Sequence, residues 1–120
     1  MNRRISFRMD KVNSEIQKEL SQIINSELQN PKIDDAIISL TTVHTAPDFS
    51  SAKIYISALN SSLDKEEILA ELAEASGFLK KRLAENLKLK RTPALRFLYD
   101  DSIEQGDKIM RLIDSLNNKG

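Results

Sequence analysis

The strongest constraint on the fold is an apolar stripe of helical period within residues 64–91. Counted at about 100° per residue, its members fall on one face of a helix. The stripe passes Gly77 without losing phase, although a glycine costs a helix interior about 1 kcal/mol relative to alanine. We therefore expect one helix that is broken at Gly77, and not two helices on a free loop. The stripe consists of Ile68, Leu69, Leu72, Ala75, Leu79, Leu83 and Leu87.

The charge of this stretch changes sign near the same glycine. Acidic residues dominate before Ser76 and basic residues after it, an order that the helix macrodipole favours. One interpretation is therefore that these charges only cover the solvent-facing side of the helix. The basic half is also dense enough to attract an anionic partner, and Gly77 on the same outward face as Lys81 and Lys88 would let a phosphate backbone approach closely. The basic residues are Lys80, Lys81, Arg82, Lys88, Lys90 and Arg91, against the single acid Glu85.

The composition limits the classes of function. The 120 residues fit one compact domain, and their 18 basic and 18 acidic residues cancel, so nucleic-acid affinity would depend on how the charge is distributed. The lack of cysteine excludes a disulfide framework and a thiolate metal site. No secretory segment or apolar run near twenty residues is present, so we expect a soluble cytoplasmic protein. Scarce aromatics favour recognition of phosphate and shape over base stacking.

The N-terminal part predicts an arm and a helix. Residues 1–7 are basic and lack a clear period, so we interpret them as a flexible arm. Residues 8–28 keep a narrow apolar face and predict a helix. Lys11 and Lys18 stand on its opposite side, and Arg4 would join them if the helix began early. Arg4, Arg8 and Lys11 are expected to add a second basic patch. The alternative is a surface helix whose charges only keep it soluble.

A β-hairpin is predicted after this helix. Residues 36–45 are rich in β-branched side chains and alternate around Ile38, Leu40 and Thr42, while residues 51–59 alternate cleanly between apolar and polar. Pro47 and Asp48 supply turn chemistry between the two runs. We therefore expect a hairpin with one face toward solvent.

The C-terminal part predicts a third strand and a last helix. Residues 94–100 alternate as a strand, which must join the sheet by a crossover because a helix intervenes. Ser102 and Gln105 are spaced as the capping box of a further helix. The element order predicts an α+β domain over residues 8–116, with helices on one face of a three-stranded sheet, followed by a frayed tail at residues 117–120.

No pattern in the sequence indicates catalysis, so we expect a protein that is not an enzyme and that needs no metal and no cofactor. Neither G-x-x-x-x-G-K-[ST] nor G-x-G-x-x-G occurs among the three glycines. The carboxylates stand at helix starts and turns, where dipole and turn chemistry already explain them. His44 has no second ligand type nearby and is interpreted as an exposed or capping histidine.

The order α-β-β-α-α-β resembles the bacterial, type II form of the KH domain, an RNA-binding fold with a G-x-x-G loop between its middle helices. Here Ala75-Ser76-Gly77 replaces that loop within an unbroken stripe. This departure makes the chain similar to the ribosome-binding factor A family, assembly factors of the small ribosomal subunit. The supporting segments are residues 48–57, 75–81, 93–97 and 99–102 with Gly106.

The resemblance implies binding to the immature small (30S) subunit and its 16S rRNA near the 5′-terminal helix. It further implies a part in late maturation, in rRNA processing and in cold-shock adaptation, followed by release, for which an assembly GTPase is a candidate. We expect a monomer. A regulatory module that binds only proteins remains the alternative. The predicted RNA-binding residues are Arg4, Arg8, Lys11, Ser76, Gly77, Lys80, Lys81, Arg82, Lys88, Lys90 and Arg91.

Overall fold

Three helices and three strands make up the part of the chain that the computed structural model describes, residues 2–102, with side chains from residue 8 onward. The strands form one sheet in the order β1-β2-β3, antiparallel between β1 and β2 and parallel between β2 and β3. The predicted α+β class and the crossover are confirmed. The helix predicted after Ser102 and the tail at 117–120 lie outside the described residues. The elements are α1 (Asn2–Ser26), β1 (Ile37–Thr45), β2 (Ser51–Leu59), α2 (Lys65–Glu74), α3 (Ser76–Asn86) and β3 (Ala94–Tyr99).

The sheet buries one face against the helices. Ala52, Ile54 and Ile56 alternate along β2 and are fully buried, as the sequence predicts. Phe97 of β3 joins them from the neighbouring strand. Because β2 pairs with a strand on each side, its inward side chains form the centre of the core.

A β-bulge in β1 changes which residues of that strand are buried. Leu40 pairs with Ile56 and Thr42 pairs with Tyr55, which leaves Thr41 without a register partner. The extra residue shifts the alternation by one position, so Val43 is buried and Thr42 is only half-buried. The predicted alternation around Ile38, Leu40 and Thr42 therefore holds only as far as Leu40.

The break in this helix lies at Ala75, two residues before the predicted position at Gly77. Ala75 has φ −83° and ψ −2° and stands alone between α2 and α3. Its N–H donates to the Glu71 carbonyl at 3.1 Å, and the Leu79 N–H donates to the Ala75 carbonyl at 3.0 Å. Gly77 has no positive φ and belongs to α3. The apolar stripe stays in phase, with Ile68, Leu72, Leu79 and Leu83 all buried.

The end of α3 was predicted five residues too late. The helix ends at Asn86, and Leu87 already has extended backbone, with φ −112° and ψ 127°. Leu87 and Leu89 pack against the core while Lys88 and Lys90 are exposed, a strand-like alternation that a helix would not allow. Lys88 is therefore not on the outward helical face where the sequence placed it.

Two side-chain hydrogen bonds hold α1 on the edge strand. Gln17 donates from Nε2 to the Leu40 carbonyl at 2.9 Å, and Asn13 Oδ1 accepts from the Thr45 N–H at 3.0 Å. The helix begins at Asn2, before the predicted start at residue 8, because no proline or glycine interrupts residues 2–7. The flexibility expected for residues 1–7 remains a prediction.

Candidate nucleic-acid interface

Contacts between α1 and α3 set where the basic residues lie. Arg82 donates from Nη2 to Glu27 Oε1 at 2.6 Å and from Nη1 to Glu85 Oε2 at 2.8 Å. Asn86 donates from Nδ2 to Glu19 Oε1 at 2.8 Å. These contacts align α1 antiparallel to α3. The N-terminal turns of α1 therefore reach the loop that follows α3.

At that end residues 8–12 of α1, the tip of the hairpin and the loop after α3 enclose a groove of about 520 Å³. We call it the hairpin groove. It contains four cationic side chains and one acidic side chain. Arg8 was predicted in a separate patch, and the structure brings it together with Lys88, Lys90 and Arg91. The groove is lined by Arg8, Met9, Val12, Pro47, Asp48, Phe49, Lys88, Leu89, Lys90 and Arg91.

The hairpin tip is a tight turn. The Phe49 N–H donates to the Ala46 carbonyl at 2.8 Å, and the Ser50 N–H donates to Asp48 Oδ1 at 3.0 Å. The hydrogen bonds with Ser50 lower the pKa of Asp48, and the positive charge of Arg91 lowers it further. Asp48 thus holds the turn as a carboxylate and faces a cation of the groove.

A second basic region lies on α3 directly after the break, and we call it the kink face. Gly77, Lys80 and Lys81 are three and four residues apart, so they share one side of the helix, and all three are exposed. Ser76 is half-buried beside them. A Cβ added at Gly77 would meet no atom within 4 Å, so this surface is open to a partner. The kink face consists of Ser76, Gly77, Lys80 and Lys81.

Arg82 does not belong with the open cations. Glu27 and then Glu85 raise its pKa through hydrogen bonds and charge, so its positive charge is already balanced. These pairs hold α1 on α3, and the phosphate contact of Arg82 stays a prediction. The exposed Lys80, Lys81, Lys88 and Lys90 have no ion pair with any residue of the described range.

The remaining predicted residues are only partly placed. Lys11 is exposed on α1, one turn beyond Arg8. The side chain of Arg4 lies outside the described range. His44 is exposed, as predicted, and meets the edge of the Tyr55 ring at a centroid distance of 6.3 Å.

No group of three or more metal-binding side chains occurs within the described residues. No helix in that range has the length and apolar character to cross a membrane.

Sequence reasoning missed the apolar part of the hairpin groove. Phe49 was treated as part of a connection, although an aromatic residue directly after Pro47-Asp48 marks an exposed turn with a large side chain. The alternation Leu87-Lys88-Leu89-Lys90 was a second available signal, because period two indicates extended chain. Both signals are local, and only the fold brings them together.

Comparison with known proteins gives consistent matches along most of the chain. The family model of ribosome-binding factor A matches residues 8–113. Ribosome-binding factor A of Lachnoclostridium phytofermentans is 41% identical over 115 residues, which cover 96% of this chain and 84% of that relative.

Two structures of a Thermus thermophilus protein share the fold. The crystal structure of ribosome-binding factor A from this organism matches with a TM-score of 0.67 and 23% identity, covering 76% of this chain and 93% of that chain. A homology model of the same factor, fitted into a cryo-EM map of a 30S complex, matches with a TM-score of 0.60 and 22% identity, covering 74% and 91%. The predicted type II KH-like fold is confirmed by these neighbours.

Proposed function

Because this chain belongs to the ribosome-binding factor A family, we propose that it binds the small (30S) ribosomal subunit before that subunit is mature. The related factor from Thermus thermophilus is fitted into a map of its own 30S complex, which supports the choice of partner. The observation that favours RNA as the contacted surface is the set of exposed lysines that lack ion pairs within the described range, divided between the hairpin groove and the kink face.

The physical basis of this binding is the release of counterions from RNA phosphates. Each lysine or arginine that neutralises a phosphate frees a condensed cation. It makes the slope of log K against log salt more negative by about 0.7 to 0.9. A cation already paired with a carboxylate would first have to give up that partner, so Arg82 contributes little to this term. The open lysines have no such cost within the described residues.

Within this function we propose contact with 16S rRNA near its 5′-terminal helix and a part in late maturation and in processing of the 16S rRNA. The protein acts without catalysis, as a cytoplasmic monomer, and its action matters most during cold-shock adaptation. Release from the subunit follows, with an assembly GTPase as the candidate that displaces it. The family resemblance supports these steps.

Co-sedimentation with purified 30S subunits tests the proposal. The chain is mixed with immature or with mature subunits at about 50 mM and about 200 mM salt, and a hydroxyl-radical footprint of the 16S rRNA is recorded. We expect preferential binding to immature subunits, a steep loss of binding at the higher salt, and protection near the 5′-terminal helix. Equal binding at both salt concentrations with no rRNA protection would instead support a module that binds only proteins.

A further inference from the structure

The hairpin tip contains a strained aromatic residue. Phe49 has φ 61°, in the left-handed region that glycine and asparagine adopt far more readily than a bulky side chain. The position follows a turn in which the Phe49 N–H bonds to the Ala46 carbonyl, where a left-handed residue lets the chain enter the next strand. Glycine or asparagine would satisfy this backbone at a lower conformational cost. The turn alone therefore does not explain a phenylalanine here.

Packing in the core does not explain it either. Phe49 is half-buried, and within the described residues it is neither a member of the buried core nor one of the apolar residues packed against that core. It instead lines the hairpin groove, together with Met9, Val12 and Leu89. Backbone strain at a residue outside the core is typical of positions where the side chain contacts a ligand.

The groove combines this ring with positive charge. Arg8, Lys88, Lys90 and Arg91 contribute cations, against the single carboxylate of Asp48. Its volume of about 520 Å³ is within the range of about 300–1,000 Å³ that is usual for small-ligand sites. An aromatic face surrounded by cations suits a nucleotide, because the base can stack on the ring while neighbouring phosphates meet the charges.

We propose that the hairpin groove binds an unpaired nucleotide of the RNA, with its base against Phe49 and the adjoining phosphates against Arg8, Lys88, Lys90 and Arg91. This inference rests on the proposed function and deepens it. The kink face offers only charge and an open backbone, which a helical RNA can also meet. The groove requires a base that has left its stack, so it selects a single-stranded segment.

Substitution of Phe49 tests the inference on immature 30S subunits. Phe49→Asn keeps a residue that tolerates the left-handed backbone but removes the ring. We expect affinity to fall on the order of ten- to a hundredfold, with an unchanged slope of log K against log salt, because stacking releases no counterions. Phe49→Tyr is the matched control and should bind within about twofold of the wild type, because its ring can stack equally well. The thermal midpoint of Phe49→Asn should not decrease.

The outcomes separate this inference from the proposed function. Salt-independent binding by the wild type would contradict the proposed function itself. Steep salt dependence together with full affinity of Phe49→Asn would overturn only the nucleotide site.

Ultraviolet crosslinking of the wild-type chain on immature 30S subunits decides the question even if a variant fails to fold. We expect 16S rRNA attached to the peptide that contains Phe49. Crosslinks from that peptide to a ribosomal protein would identify the groove as a peptide site and overturn the inference.

Discussion

The kink face and the hairpin groove are both basic but differ in shape and chemistry. The kink face is one side of a helix, with Lys80 and Lys81 beside the open position of Gly77. The hairpin groove is concave and combines cations from two elements with apolar side chains and a strained ring. The first can supply long-range attraction that is insensitive to sequence, and the second can add short-range contact with a base. Charge alone therefore does not define the interface.

The largest effect is expected from reversing one charge in each region. Lys81→Glu and Lys88→Glu together should weaken binding to immature 30S subunits on the order of 30-fold near 0.1 M salt and flatten the salt slope by about one to two units. The two single variants should add, because the residues belong to separate regions. Filter binding at several salt concentrations measures both quantities.

Lys53→Glu serves as the matched control for this pair, because Lys53 is exposed on the sheet face that points away from the helices. Its affinity should stay near that of the wild type. If the double variant keeps the wild-type slope, neither region contacts phosphate and both are only solvated surfaces.

Arg82→Met tests the distinction between paired and open cations. The change removes contacts to Glu27 and Glu85 and should lower the free energy of unfolding. The slope of RNA binding against salt should not change, because Glu27 and Glu85 already balance the charge of Arg82. Urea denaturation gives the first quantity and filter binding the second. A flatter slope with unaltered stability would return Arg82 to the RNA-binding set.

Gly77→Ala probes how closely a partner approaches the kink face. The backbone of Gly77 is helical and the added methyl group meets no atom within 4 Å, so stability should rise, by at most about 1 kcal/mol. Binding should weaken by a few fold if the RNA backbone lies against this position. Thermal unfolding and filter binding separate the two effects. Unchanged affinity would restrict the contact of this face to its lysines.

Asp48→Asn is expected to have the smallest effect and concerns the groove alone. Asparagine can still accept the Ser50 N–H, so the turn should persist while the groove loses its one negative charge. Affinity should rise about threefold near 0.1 M salt.

The gain in affinity of Asp48→Asn over the wild type should be constant between about pH 5 and 8. The reason is that the hydrogen bonds with Ser50 lower the pKa of Asp48 below its ordinary value near 4. The wild-type carboxylate is thus ionised throughout that window, and any stability it contributes is lost only as the pH falls through this lowered pKa. Binding curves of the wild type and of Asp48→Asn at pH 5, 7 and 8 test the prediction. A gain that disappears at pH 5 would mean that Asp48 is already protonated there.

The order of elements could be predicted because its causes are local. Alternation fixed the inward face of β2, and Asp64 with Glu67 forms the capping box at the start of α2. The apolar stripe kept its phase across Ala75 because the break is one residue long. Patterns of this kind depend on neighbours within one or two turns.

The features that depend on distant contacts could not be predicted. Arg82 meets Glu27, a residue 55 positions away, and no local pattern distinguishes it from Lys81. The bulge at Thr41 reverses the alternation of β1, and Thr41 also donates to Asp100 at 2.6 Å from another part of the chain. The hairpin groove unites three segments that are separate in sequence. The position of its aromatic member beside the cations was therefore visible only in the structure.

The salt dependence of wild-type binding tests the central claim most directly. The affinity for immature 30S subunits is measured between about 50 and 300 mM salt, at constant pH. If the open cations of the kink face and the hairpin groove meet rRNA phosphates, log K should fall linearly with log salt, with a slope of about −3 to −5. A slope near zero would contradict the account, because binding would then not depend on phosphate contacts.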